Sequence, residues 1–364
     1  MRELDAVVVG GGPAGSTVAG ALRAEGWDVL LLDKAEFPRD KTCAGWVTPA
    51  VLDMLGVDRE DYAREHVLQP IHAFRIGLMG QPARENRHGE TPVSYGIRRC
   101  EFDDYLLRRS GVTSVQGEKV RSLRREDGRW VVNDAYRAPW LVGAGGHFCP
   151  VAAELGDGPG GHELAVTAKE AEFRMSPAQQ RACAARGDTP ELWFCRDLKG
   201  YGWIFRKGEY LNIGLGREDN HQLGEHLDDF VAAMQAAGRA PPEMPGHYKG
   251  HAYLLHGHAR RPLGGPGCLL VGDAAGLAYT QSGEGIRPAV ESALLAARLM
   301  AAHRDDPPGV RRDYDAAVRA RFGPRGDRPR PGLPQWLKRF AAPGLMRNPW
   351  FTRRVVTEKW FLRL

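Results

Sequence analysis

At 364 residues, 43% of them hydrophobic and 26% charged, the chain is long for one core and too apolar for a disordered or fibrous protein, so two lobes are expected. Six scattered cysteines (Cys43, Cys100, Cys149, Cys183, Cys195 and Cys268) contain no C-x-x-C pair, which argues against zinc or dithiol chemistry and for a reducing, cytoplasmic compartment. The net charge of +5 is uneven: residues 305–364 carry 14 Lys/Arg against 6 Asp/Glu, leaving the rest slightly acidic. Such a basic tail suits either an anionic membrane surface or a helical appendage packed on the body, and no nucleic-acid partner is expected. No signal peptide fits the first residues. The best membrane-span candidate, residues 286–303, is interrupted by Arg287, Glu291 and Arg298.

Leu4–Val9 reads as a buried parallel strand and runs into Gly10-Gly11-Gly12-Pro13-Ala14-Gly15, which fits G-x-G-x-x-G. Small and apolar residues at helix spacing follow over 14–25, closed by Gly26, and then a second strand over 28–32 ends at Asp33. The three glycines serve a tight turn, close approach to a pyrophosphate and close helix–strand packing. The helix N-terminus takes the phosphate charge, and Asp33 is placed to accept from a ribose. In this strand–turn–helix–strand–acid order the pattern predicts a dinucleotide site. Farther on, Cys268–Val271 reads as another buried strand leading to Gly272-Asp273-Ala274-Ala275-Gly276. Gly283-Glu284-Gly285-Ile286 then opens a helix over 287–303 with Pro288 in its first turn.

The G-x-G-x-x-G turn with this distal G-D-A-A-G and G-E-G-I resembles the FAD-dependent oxidoreductases that include aromatic-ring hydroxylases, flavin halogenases and geranylgeranyl reductases. Arg99-Cys100-Glu101-Phe102-Asp103 matches that family's R-x-x-F-D. The resemblance spans residues 1–303. It implies non-covalent FAD, with contacts from Gly10, Gly12, Pro13, Ala14, Gly15, Asp33, Lys34, Cys43, Ala44, Gly45, Arg99, Val120, Gly272, Asp273, Gly283, Gly285 and Ile286.

Two segments resemble the geranylgeranyl-reductase branch. Lys41-Thr42-Cys43-Ala44-Gly45 is similar to its K-x-C-G-G, which brings a cysteine near the flavin. Tyr201-Gly202-Trp203-Ile204-Phe205-Arg206-Lys207, then Asn212-Ile213-Gly214-Leu215-Gly216, is similar to Y-x-W-x-F-P-K…N-V-G-x-G, with Arg206 in the proline's place. The alternation predicts two strands joined at Lys207-Gly208-Glu209. Departures occur at Gly145, where the hydroxylases carry aspartate, and at Tyr279-Thr280-Gln281-Ser282, which replaces a proline-containing loop. No second dinucleotide fingerprint appears, and Gly158-Pro159-Gly160-Gly161 reads as a loop. Electrons are therefore expected from transiently bound NAD(P)H or another reductant.

The expected fold is α/β: a Rossmann-type FAD-binding lobe (1–70, 97–155 and 260–305), a smaller antiparallel-sheet substrate lobe (71–96 and 156–259) and a helical C-terminal extension (306–364). Catalytic candidates are Cys43, Tyr201 and Glu284. Cys43 reads as a proton donor or flavin-positioning group, or as a small residue packed beneath the ring. Glu284 serves catalysis or caps the helix. Trp203, Phe205 and Tyr279 are expected to line a pocket for a small apolar substrate. His251, His256 and His258 fall in a loop-like segment without a zinc spacing, and no metal is expected. The prolines from Pro324 onward predict only short helices, and the aromatic and arginine residues among them fit membrane contact or packing. The first functional expectation is a reductase delivering hydride from reduced flavin N5 to a C=C bond of an apolar substrate, with isoprenoids among the candidates. The alternatives are a monooxygenase working through a C4a-hydroperoxide and an electron-transfer flavoprotein.

Overall fold

In the computed structural model, which describes residues 1–156, 165–219, 221–325 and 335–363, two units are each assembled from three chain segments. The first comprises residues 1–40, 100–164 and 253–328, and the second residues 41–99, 165–252 and 329–364. Several expected boundaries move, two of them by long segments. Residues 41–70 belong to the second unit, where strands Trp46–Val47 and Leu68–Ile71 flank Ser94–Ile97 in a three-stranded sheet. The extension expected from residue 306 is divided: helix Pro307–Phe322 joins the first unit's core through Val310, Tyr314 and Val318, and residues 335–363 belong to the second. The loop expected at 158–161 lies outside the described residues.

The first unit is built on a six-stranded sheet in the order Gly264–Gly265, Cys268–Leu270, Trp140–Gly143, Ala6–Val9, Val29–Asp33 and Thr113–Gln116. The four central strands run parallel and every residue in them is buried. Runs such as AVVV and VLLLD suit that place, because a parallel sheet is covered on both faces. Helix Pro13–Ala24 begins with proline, whose missing N–H costs nothing in a first turn, and stops before Gly26 at φ +78°. Helix Ile286–Ala302 buries Ala289, Ala293, Ala296 and Ala297, small enough to let it lie against Pro13–Ala24.

The second unit carries a seven-stranded sheet in the order Lys249–Leu254, Ala165–Arg174, Tyr210–Arg217, Gly200–Lys207, Glu191–Phe194, Ala73–Leu78 and Arg84–Arg87. From Ala165–Arg174 to Arg84–Arg87 its neighbours pair antiparallel apart from the Ala73–Leu78 and Glu191–Phe194 pair. On one face Ile204, Leu211, Ile213 and Leu215 pack with Leu227, Phe230, Val231 and Met234 of helix Leu223–Ala236. Gly202 lies so near the Phe230 ring that an added Cβ would stand 2.7 Å from it.

The C-terminal segment differs from the short helices expected of its prolines. Pro343 is accommodated inside the 13-residue helix Gln335–Arg347, and a wide-turned helix follows at Phe351–Leu362. These two pack on strands Ala73–Leu78 and Arg84–Arg87, burying Ala342, Met346, Val356, Phe361 and Leu362. The Thr352 hydroxyl meets the Asn86 side chain at 3.2 Å. Among the described residues no helix is long and apolar enough to cross a membrane.

Candidate active site

The glycine turn of the first unit separates two requirements. A Cβ on Gly10 (φ +110°) would stand 2.5 Å from the Ala144 carbonyl oxygen, and one on Gly15 would overlap the Gly10 carbonyl. Those two positions are glycine because the protein's own backbone closes in. A Cβ on Gly12 would meet only the Arg39 Nη2 tip at 3.4 Å and Asp103 Oδ2 at 4.0 Å. Gly12 therefore has room beside it and is the N-cap of Pro13–Ala24, where helix N–H groups favour an anion. Asp33 holds the turn to the second strand: Oδ2 accepts from the Gly11 N–H at 2.6 Å and Oδ1 from the Ala35 N–H at 2.8 Å. Lys34 is exposed beside it, whereas Val120 lies in the first unit's core.

Arg39 adds a cation that sequence reasoning missed. Its guanidinium lies 4.6 Å from the Phe37 ring centroid and 3.3 Å from Asp103, which is fully buried at the end of the R-x-x-F-D segment. No local pattern pairs residues 39 and 103, so only the fold brings them together. The helix N-terminus, the opening at Gly12, Arg39 and the Asp33 carboxylate fit a dinucleotide with its pyrophosphate at the turn.

The distal motifs also converge within this unit. Gly272, at φ +59°, seats between two helices, since its Cβ would stand 3.2 Å from both Ala14 and Ala289. Its N–H donates to the Ser292 hydroxyl at 3.0 Å. Asp273 Oδ1 would lie 3.0 Å from a Cβ on Gly285, the N-cap of Ile286–Ala302, and an added Cβ on Gly283 would stand 2.5 Å from the Tyr253 hydroxyl. Ile286 is buried behind them. Glu284 is buried as well, with its N–H donating to the Ser282 hydroxyl at 3.3 Å.

Tyr279 has a bracing place in the first unit. Its hydroxyl donates to Glu291 at 3.2 Å and accepts from Arg321 at 3.3 Å, tying together helices Ile286–Ala302 and Pro307–Phe322. Burial, then the neighbouring Glu291, push its phenol up to about 12. Arg261, also missed from sequence, is buried and donates to the His147 carbonyl at 2.8 Å. It thereby secures the segment in which Gly145 replaces aspartate. His251 lies in strand Lys249–Leu254 and not in a loop, while His256–His258 form a single tight turn. Among the described residues no cluster of His, Cys, Asp or Glu is arranged to hold a metal.

In the second unit Cys43 is gripped on both sides of its backbone. Its N–H donates to Glu170 Oε1 at 2.6 Å, and its carbonyl accepts from Asn212 Nδ2 at 3.1 Å. The Gly45 N–H reaches back to Cys43 Sγ at 3.4 Å. Gly45 itself, at φ +68°, packs so tightly on the Ile97 carbonyl and Lys207 Nζ that a Cβ would overlap both. Ala44 between them is half-buried.

Sheet register explains the pattern that holds this loop. Glu170 pairs with Gly214 and Gly214 with Trp203, while Glu172 pairs with Asn212 and Asn212 with Phe205. Paired residues share a face, so Glu170, Glu172, Asn212, Trp203 and Phe205 stand together, opposite the Leu223–Ala236 helix. The Trp203 indole N–H donates to Asn212 Oδ1 at 2.7 Å. Gly214 leaves room for that ring, because a Cβ there would overlap it and stand 2.7 Å from the Glu170 Cβ. Lys207 is wholly buried and donates to Glu172 Oε2 at 2.6 Å, with Arg98 at 3.5 Å from the other oxygen.

Among the described residues Glu170 forms no such ion pair. Its desolvation dominates over the Cys43 N–H and the Lys207 charge and raises its carboxyl to about 7. Beside the polar row lies an aromatic one. Trp46 stacks with Phe205 at 6.5 Å and meets Phe74 at 5.9 Å, and Phe361 of the C-terminal segment packs 5.5 Å from Tyr201.

Of the expected residues, the first unit gathers Gly10, Gly12, Pro13, Ala14, Gly15, Asp33, Gly272, Asp273, Gly283, Gly285 and Ile286, along with Glu284 and Tyr279. Arg99 is buried at the start of helix Arg99–Ser110. The second unit gathers Cys43, Ala44, Gly45, Tyr201, Trp203 and Phe205. Glu170 and Glu172 went unnoticed because two acids in alternate positions of a strand look like a solvated face.

Residues 3–314 match the family model described as FAD binding domain. The chain belongs to that family. This FAD-dependent oxidoreductase is 29% identical to menaquinone reductase of Mycobacterium tuberculosis over 323 residues, 81% of this chain and 76% of that one. It is 27% identical to digeranylgeranylglycerophospholipid reductase of Methanocaldococcus jannaschii over 319 residues, 82% and 78% of the two chains. Among solved structures it is similar to a geranylgeranyl bacteriochlorophyll reductase-like protein from Thermoplasma acidophilum. There the TM-score is 0.74 at 20% identity, covering 95% of this chain and 88% of the other.

Proposed function

We propose that the protein is a reductase that saturates a carbon–carbon double bond in an apolar, isoprenoid-like molecule. The observation that carries this reading is the Cys43 peptide, gripped by Glu170 and Asn212 on a sheet face whose neighbours are Trp46, Tyr201, Trp203 and Phe205. Similarity to proteins named menaquinone reductase and digeranylgeranylglycerophospholipid reductase supports it. FAD, when bound and reduced, supplies a hydride from N5. Gly12, the Pro13–Ala24 N-terminus and Arg39 would hold its pyrophosphate, Asp33 would accept from the adenosine ribose, and Asp273 and Gly285 would serve the flavin end. Cys43 gives the proton that completes the reduction at the neighbouring carbon, and Trp203 and Phe205 shield an apolar substrate from water.

The test is anaerobic. Protein reduced chemically and mixed with a polyprenyl alkene should reoxidise in step with loss of the double bond, read by flavin absorbance and mass spectrometry. Reoxidation by O₂ alone, with oxygen appearing in a product, replaces this reading with a monooxygenase. We also infer peripheral contact with an anionic membrane. Phe340, Leu345 and Trp350 are exposed on the C-terminal segment among the exposed Arg339, Arg347, Arg353 and Arg354, and apolar side chains among cations match the interface of an acidic bilayer.

A further inference from the structure

We propose that Glu170 is a positioning residue for Cys43: its ionised carboxylate fixes the Cys43 N–H, and protonation loosens that hold while Asn212 keeps the carbonyl side in place. This rests on the reading of Cys43 as proton donor, and it names the regulation of that site.

The geometry sets Glu170 apart from its neighbour. Glu172, two residues along the same strand, is compensated by Lys207 at 2.6 Å and Arg98 at 3.5 Å. Glu170 is 4% exposed, gives one oxygen to the Cys43 N–H, and its Oε2 has no hydrogen-bond partner among the described residues. A backbone N–H can be satisfied by a neutral acceptor, so holding it with a buried carboxylate adds a desolvation cost and gains dependence on charge.

The surroundings leave that charge finely placed. Lys207 on strand Gly200–Lys207 and the Asn212 amide on Tyr210–Arg217 favour the carboxylate, as does the Cys43 N–H, whereas burial and Glu172 oppose it. Strand Lys249–Leu254 on the other side carries Lys249, His251 and Tyr253 as its titratable groups and brings the Gly250 carbonyl to the Thr42 hydroxyl at 3.4 Å. Arg98 faces Glu172 and stacks 3.8 Å from the Tyr210 ring. The balance raises Glu170 to about 7, so its proton is gained and lost near neutrality. A charged acceptor holds an N–H roughly twice as strongly as a neutral one. Cys43 is thus fastened on both sides above this pH and pivots about Asn212 below it.

Two measurements on the FAD-loaded full chain separate this from the reading beneath it, because neither uses a substrate. Infrared titration of wild type should show a buried carboxylic acid losing its proton near pH 7, and Glu170→Gln should lack that band. Alkylation of Cys43 by iodoacetamide, followed by peptide mass spectrometry, should show a step of about fivefold near pH 7 beside the thiol's own ionisation. Glu170→Gln should remove the step. With an alkene substrate, the same variant should alter kcat and flatten its pH profile near 7 while leaving KM unchanged. An alkylation step that persists in Glu170→Gln overturns the proposal. Should that variant not fold, absence of a wild-type infrared band titrating between about pH 6 and 8 overturns it equally. If infrared and alkylation behave as expected and no alkene is reduced, the positioning role stands and the reductase reading fails.

Discussion

Gly12 and Gly15 offer a way to separate clearance for the cofactor from clearance for the fold. An alanine at Gly15 would place its Cβ 2.9 Å from the Gly10 carbonyl carbon, in overlap with the attached oxygen, and 3.2 Å from the Ala144 Cβ. The obstruction is backbone and cannot rotate away, so the turn must shift. Overpacking of this kind costs about 1–3 kcal/mol. Alanine at Gly12 meets only the end of the Arg39 side chain, at 3.4 Å, and Gly12 has an ordinary φ of −72°. Its cost to the apo fold should stay near 0.5 kcal/mol, about the difference between glycine and alanine at an N-cap. A methyl group there nevertheless occupies the space a pyrophosphate would approach. Chemical denaturation of the deflavinated variants should therefore show Gly15→Ala destabilised and Gly12→Ala close to wild type. FAD titration by flavin fluorescence should show both weakened, Gly12→Ala by at least tenfold, which corresponds to about 1.4 kcal/mol. Full FAD affinity in Gly12→Ala would refute the placement of the pyrophosphate, and an undisturbed apo Gly15→Ala would refute the steric argument.

Other perturbations probe the second unit. Cys43→Ser should bind FAD normally yet slow anaerobic reoxidation by an alkene about 10²–10⁴-fold, and a loss below tenfold would return Cys43 to a packing role. Phe361→Ala removes a fully buried ring from the Trp46, Phe194 and Tyr201 cluster and should cost about 3–5 kcal/mol, read as a lower denaturation midpoint with earlier proteolysis beyond residue 335. Replacing Phe340 and Trp350 together by serine should leave stability within about 0.5 kcal/mol and reduce sedimentation with acidic vesicles at low salt; unchanged sedimentation rejects the membrane contact. Glu170→Gln carries a pH signature. The folded carboxyl sits near 7, above its unfolded value, so the wild type holds the extra proton when folded and loses stability as pH rises from about 4.5 through 7. The variant should gain on the wild type by roughly 1–3 kcal/mol at pH 8 and by nothing at pH 4, and a constant difference across that range would contradict the burial argument.

How much of this was readable beforehand follows from how local each feature is. The dinucleotide turn was legible because Gly10, Gly12, Gly15 and Asp33 lie within one short strand–helix–strand unit, and the chemistry of each is met by its near neighbours. The strands around Trp203 and Asn212 were legible for the same reason, joined by a two-residue turn. The C-terminal prolines misled because a proline ends a helix only when nothing restores the lost backbone contacts. At Pro343 the helix continues, with Ala342 and Met346 buried beside it. Arg39 with Asp103 and Glu170 with Cys43 were out of reach, since sequence separations of 64 and 127 residues carry no periodicity to read. The motif Asn212-Ile213-Gly214-Leu215-Gly216 stands between these cases. Its spacing marks a strand, but the reason for its residues appears only once the register is known. Asn212 must bridge the Trp203 indole and the Cys43 carbonyl, and Gly214 must leave room for that same indole and for the Glu170 Cβ. A substitution at Gly214 should therefore disturb Cys43, which lies 171 residues away in the chain, through the acid and the amide that hold it.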